Sequence, residues 1–203
     1  SKSTDDSKTN TESTTSAAKV KVVDIELSSE KYAFGVDKKQ PELKEKCNEL
    51  IKEMKSNGEL EEISNHYFGD GEPVGVESAK QDKSKDQLVV ATNAEFEPFE
   101  YKEGNKFYGI DMEIAKLLAD KLGKELVIVD MAFDAVLLSV QQQKADIGMA
   151  GLTVTKERAK QVDFCDSYYN AAQKIVVKAD DTTFDNCKTK EDVDKILQGF
   201  DSS

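Results

Sequence analysis

From Gln87 onward the chain alternates short apolar runs with amphipathic stretches, and this alternation constrains the fold more than any other feature. Leu88–Thr92 reads as a buried strand. Asp111 stands where a helix cap belongs, ahead of Ile114, Leu117, Leu118 and Leu122, and Gly123 stops that helix. Leu126–Val129 is a second strand, Phe133–Gln143 a second amphipathic helix, and Asp146–Leu152 a third strand ending in small residues. Ile175–Val177 is one more strand, and Thr189-x-x-Asp192 opens a last short helix in the manner of a capping box. Strand, helix, strand, helix, strand with short connections predicts an α/β fold on a mostly parallel sheet flanked by helices.

The residues ahead of Gln87 follow other patterns. Residues 1–18 are rich in Ser and Thr, and Ala17 and Ala18 are their only apolar side chains; such a stretch cannot bury enough surface to offset its ordering entropy and is expected to be a disordered tail. Strands are expected at Val20–Leu27 and Tyr32–Val36. Pro41 opens a helix carrying Leu43, Cys47, Leu50 and Met54, closed by Asn57-Gly58, and a shorter helix runs from Leu60 to Phe68. Residues 69–86, rich in Gly, Lys and Asp without periodicity, read as a linker.

Composition narrows the chemistry. The net charge of -12 repels phosphate backbones and argues against a nucleic-acid partner. His66 is the single histidine, so a multi-histidine metal site is excluded and any histidine-dependent catalysis would have to use it. Of 28 basic residues only Arg158 is an arginine. Cys47, Cys165 and Cys187 are too few and too irregular for a disulfide framework or a zinc knuckle, and Cys47 falls on the apolar helix face where a buried free thiol is expected. No cofactor, metal or catalytic residue is assigned.

In open parallel sheets ligands gather beyond the carboxyl ends of the strands. Two such ends are informative: Thr92 to Tyr101, an aromatic, proline-bearing loop, and Ala150 to Arg158, a strand end running into a helix start. Backbone N–H groups at a helix start favour an anion, and arginine adds a planar fork that fits a carboxylate. A solvated helix arginine is the competing reading from these residues alone.

The text VVATNAEFEPFEY, YGIDMEIAKLLADKLG and FDAVLLSVQQQKADIGMAGLTVTKERAKQVDFCDSYY, between Gln87 and Lys178, resembles the polar-amino-acid-binding proteins that serve ABC importers. The resemblance implies a type II periplasmic-binding-protein-like fold, with two lobes joined by two crossing strands that close on a ligand by hinge motion. It also implies roles: Arg158 for the ligand α-carboxylate with help from Thr153, the Gly151 carbonyl for the α-ammonium group, Phe96 and Phe133 as aromatics that sandwich the ligand, and Asn93 close to its side chain. Asn93 in place of an acid points to a neutral polar amino acid. Cys165 falls where the family commonly has serine.

Residues 32–68 resemble the family's carboxyl-terminal end, yet here they precede its beginning. Circular permutation through the linker explains this order, because 32–68 would complete the lobe that 87–170 begins; a fusion of two binding proteins is the alternative. The expected organisation is then a tail at 1–18, a lobe-two fragment and crossing strand at 19–36, lobe one at 37–68 and 87–170 joined by linker 69–86, and a crossing strand with a lobe-two fragment at 171–203. The crossings are expected near Tyr32–Val36 and Asn170–Gln173. Lobe one is essentially complete, whereas a Gly-Thr-Thr-like loop and the ammonium-binding aspartate of the family's second lobe have no counterpart. The resemblance leaves open a piece of a longer permuted protein, cut or truncated, or a chain paired with a second polypeptide completing lobe two; the other expected partners are the amino acid and the membrane subunits of an ABC importer. The resemblance implies an extracellular location, periplasmic or lipid-anchored at the cell surface, and the 1–18 tail resembles a lipoprotein spacer as much as a generic linker. Two rival functions share this text: a cyclohexadienyl-dehydratase-like enzyme and the ligand-sensing domain of a receptor.

Overall fold

A computed structural model describes residues 19–201, so the expected tail at 1–18 lies outside the described residues. The chain forms two compact units, 19–28 with 172–201, and 29–171. It passes from one to the other twice, within strands β1 (Val20–Tyr32) and β10 (Tyr169–Lys178).

The 29–171 unit is built on a five-stranded sheet. After β1 come β2 (Gly35–Val36) and helices α1 (Pro41–Asn57) and α2 (Glu59–Phe68). Then follow β3 (Gln87–Thr92), β4 (Glu95–Phe96), β5 (Glu100–Glu103), β6 (Lys106–Tyr108) and α3 (Ile110–Leu122). β7 (Glu125–Asp130), α4 (Phe133–Gln141), β8 (Ile147–Gly148), α5 (Lys156–Gln161) and β9 (Asp163–Phe164) complete it. The sheet order is β7-β3-β8-β2-β9. β3 runs parallel to β7 and β8, and β2 is antiparallel to β8 and β9. β4, β5 and β6 form a separate antiparallel sheet beside it in sequence.

Alternation along β3 divides the core in two. Leu88 and Val90 join the cluster that holds Cys47, Ile51 and Met54 of α1, Ile63 of α2, and Ile114 and Leu118 of α3. Val89 and Ala91 join the other, with Val136, Leu137 and Val140 of α4. Helices thus cover both sheet faces, and the segments 41–68 and 87–170 meet in the first of these clusters. Gly58, with φ +82°, supplies the left-handed residue that ends α1, as Asn57-Gly58 announces in sequence.

Residues 69–86 are more than a loose tether. Val76 is buried and exchanges backbone hydrogen bonds with Phe107, the Ala79 N–H reaches the Leu126 carbonyl at 2.9 Å, and Ser78 Oγ accepts from the Ile128 N–H at 2.8 Å. Val74 and Val76 with the small Ser78 carry too little pattern to announce this docking, and Val74 stays exposed while Val76 is buried.

Several boundaries differ from the sequence reading. β1 is one continuous strand, because the polar stretch Ser28–Lys31 continues its alternation of more and less exposed residues. The first crossing falls earlier than Tyr32–Val36, at 28/29: Ala33 and Phe34 are buried and Gly35–Val36 pairs into the sheet. The strand expected at Asp146–Leu152 is shorter, Ile147–Gly148, with the Asp146 and Met149 N–H groups adding bonds to the Val89 and Ala91 carbonyls before the chain turns at Gly151, where φ is +55°. Asp111 is no cap; Gly109 holds that position and Asp111 is fully buried in the first turn of α3.

The other unit contains most of β1 and β10 and helix α6 (Lys190–Asp201), with Phe184 and Val193 buried. Lys21 pairs with Asp185 at 2.7 Å and Lys174 with Asp24 at 2.5 Å. Thr189 and Asp192 exchange side-chain-to-backbone bonds at 3.2 and 3.1 Å, which is the reciprocal cap at the start of α6.

Candidate functional site

β3 and β8 run in the same direction, so the residues after Thr92 and after Gly148 emerge at one end of the sheet. Six residues were singled out in this region from sequence, and the segment 151–158 organises most of them.

Arg158 lies in α5, whose Thr155 cap accepts the Arg158 N–H at 3.1 Å. The helix is a turn and a half, and its start is already capped, so an anion here would depend on the guanidinium. That group donates from Nη1 to the Thr153 carbonyl at 2.9 Å and sits over the Phe133 ring, 5.3 Å from its centroid. Arg158 is half-buried and forms no ion pair among the described residues. An arginine oriented by a carbonyl and an aromatic face, with no ion-pair partner among the described residues, keeps the rest of its donor fork available to a carboxylate.

Gly151 and Phe96 meet directly. The ring of Phe96 covers Gly151 so closely that a Cβ there would stand 2.6 Å from Phe96 Cε1. Phe96 also stacks on Phe99 at 5.3 Å and meets Tyr32 edge-on at 6.3 Å. Phe96 and Phe133 are each 40 % exposed. Asn93 donates from Nδ2 to the Met131 carbonyl at 2.8 Å, tying the end of β3 to the loop that presents Phe133.

Thr153 is bridged to Tyr32, with the Val154 N–H on the Lys31 carbonyl at 2.9 Å and the Ala33 N–H on the Leu152 carbonyl at 3.1 Å. This pairing brings Glu30 against the site, where its Oε2 accepts from Thr153 Oγ1 at 3.2 Å.

Beneath Gly151 lies a buried acidic pair. Asp111 accepts the Gly151 N–H at 2.7 Å and the Tyr168 hydroxyl. Glu100 is also fully buried, and neither of its oxygens meets a donor among the described residues. Burial, reinforced by the neighbouring Asp111 charge, pushes the Glu100 carboxyl far above the ordinary range; burial raises Asp111 too, against the opposing pull of its hydrogen bonds. Glu100 is therefore protonated at neutral pH, and its proton has Asp111 as the nearby acceptor. Sequence reasoning passed over Glu30, Tyr32 and Glu100 and gave Asp111 a capping role. Only the period-two placement of Glu30 and Tyr32 on one strand face offered a signal.

A mixed α/β unit with helices on both sheet faces and a charged, aromatic site beyond its parallel strands is the solute-binding lobe that the type II fold defines. Residues 88–203 match the bacterial extracellular solute-binding proteins, family 3, and the chain belongs to that family. The arginine-binding extracellular protein ArtP of Bacillus subtilis is 42% identical over 106 residues, covering 52% of this chain and 42% of ArtP. The ABC transporter arginine-binding protein 1 of Escherichia coli is 31% identical over 107 residues, covering 52% of this chain and 44% of that protein. Among solved structures, an arginine-bound form of domain 1 from TmArgBP is 34% identical, with TM-score 0.42, covering 60% of this chain and 96% of that one. The chain spans about two fifths of the length of these curated relatives.

Proposed function

We propose that the 29–171 unit captures an L-amino acid, holding its α-carboxylate on Arg158 and Thr153 and its body between Phe96 and Phe133, for delivery to an ABC importer outside the cell membrane. The observation that carries this reading is Arg158: half-buried, aligned by Phe133 and the Thr153 carbonyl, and without an acidic partner among the described residues. The names of the relatives, arginine-binding proteins in two cases, support amino-acid capture over catalysis and make L-arginine the first ligand to test. Asn93 supports a neutral side chain instead, so L-glutamine is the second. Closure would bring a second set of contacts from the other lobe. The family's carboxyl-terminal segment, moved ahead of its beginning at 32–68, accounts for the shared core of α1, α2 and α3.

Titration calorimetry with both amino acids tests the reading. Arg158→Ala should weaken binding at least about a hundredfold while leaving thermal unfolding nearly unchanged, because a charge-assisted bidentate contact is lost from a half-buried site. Retained affinity in that variant would remove Arg158 from the site.

A further inference from the structure

We propose that Glu30 is the acceptor for the ligand's α-ammonium group, so that the zwitterion is read at both ends from the 29–171 unit alone; this rests on Arg158 holding the carboxylate. Three observations carry it. First, backbone pairing fixes Glu30 in place: the Tyr32–Thr153 bridge and the Lys31 and Ala33 backbone bonds hold the end of β1 against residues 152–154. Second, Thr153 links the two charges. Its hydroxyl donates to Glu30 at 3.2 Å while its carbonyl accepts from Arg158 at 2.9 Å, so an acid and a guanidinium flank a single residue without pairing to each other. Third, Glu30 is half-buried and forms no ion pair among the described residues, leaving its second oxygen for a donor outside this set of contacts.

The spacing of charges in an α-amino acid matches this arrangement. Its ammonium and carboxylate groups hang from one carbon, so a cation acceptor must stand beside the carboxylate hook rather than at the far end of the site. A guanidinium or amide on the ligand side chain would lie too far from Thr153 to use Glu30. Tyr32, on the same strand face as Glu30, is set edge-on to Phe96. The carboxylate also disfavours a second ligand carboxylate next to Thr153.

Calorimetry on the 203-residue chain at neutral pH, with L-arginine and its des-amino analogue 5-guanidinopentanoate as probes, decides the matter. The wild-type chain should prefer L-arginine by about tenfold or more, the worth of one charge-assisted hydrogen bond. Glu30→Gln, similar in shape, should lose most of that preference while its affinity for the analogue stays unchanged and its thermal unfolding matches wild type. A preference that survives Glu30→Gln overturns the assignment. Arg158→Ala separates this result from the underlying reading, since it should weaken both probes alike. If it weakens neither, the carboxylate hook is misplaced and the Glu30 assignment that rests on it falls too, whereas a preference that survives Glu30→Gln with Arg158→Ala weakening both probes overturns the Glu30 assignment alone. A wild-type chain that binds neither probe overturns both.

Discussion

Gly151 donates its backbone N–H to Asp111 at 2.7 Å while Phe96 closes over its other side, so the only residue that fits is one without a side chain. A methyl group there would stand 2.6 and 2.7 Å from two ring carbons of Phe96, and φ of +55° is strained for any residue with a Cβ. Gly151→Ala should therefore displace the ring and cost about 1–2 kcal/mol of stability. If Phe96 flanks the ligand as proposed, L-arginine affinity should fall by about tenfold as the ring is displaced. Unchanged affinity by calorimetry would show that the Phe96 ring is no part of the site.

Glu100 makes stability depend on pH in a direction opposite to that of a salt-bridged acid. In the unfolded chain its carboxyl ionises near the ordinary 4.5, whereas in the folded protein burial and the Asp111 charge keep it protonated far above that. Below pH 4.5 both states hold the proton and nothing is lost. Above it only the unfolded state releases the proton, so this group lowers stability as pH rises, by up to about 1.4 kcal/mol per unit. Asp111, also raised, adds a loss in the same direction over a narrower range. Glu100→Gln removes the titration and offers Asp111 an amide donor. Chemical denaturation should find the variant level with wild type at pH 4 and more stable by about 1–3 kcal/mol at pH 8. A variant destabilised equally at both pH values would contradict a shared, buried proton.

The sequence signals that succeeded are those with a local cause. Helix α1 is announced by Leu43, Cys47, Leu50 and Met54 and ended by Gly58, since a 3.6-residue period and a left-handed cap both act within a few residues. β3 and β7 were evident because strands buried on both faces are continuously apolar. What failed depends on contacts distant in sequence. Asp111 looks like a cap until Tyr168 and Gly151 arrive from elsewhere to satisfy it in the core. Glu30 looks like an exposed strand residue until 152–154 pair alongside it. Arg158 was visible as the only arginine, but its seat over Phe133 requires α4 and α5 to be placed together.

The three cysteines should differ sharply in reactivity. Cys47 and Cys165 are buried, and the Cys165 thiol beside it, together with burial, pushes the Cys47 thiol well above its usual value, leaving it a poor nucleophile. Cys187 is half-buried in the other unit. A thiol-specific chromogenic reagent should modify one cysteine in the native protein and all three in denaturant, with peptide mass spectrometry assigning the first to Cys187. Fast native labelling of Cys47 would mean that α1 opens readily from the core.

If residues 41–68 and 87–170 are two parts of one lobe, the covalent link between them is dispensable once the lobe has folded. Asp70 to Pro73 are exposed, whereas Val76 and Ser78 beyond them are docked on Phe107 and Ile128. A protease site inserted at 70–73 should therefore be cut without releasing either piece. Ile51, Met54 and Ile63 on one fragment bury against Ile114 and Leu118 on the other, and burying each such side chain is worth about 1.5–3 kcal/mol. The nicked protein should co-elute as one species in size-exclusion chromatography and separate only in denaturant. Its melting temperature should fall with dilution, because unfolding now releases two chains. Separation of the fragments under native conditions would mean that 32–68 is an attached segment rather than the completing part of the lobe, and would favour a fusion of two proteins over a permuted one.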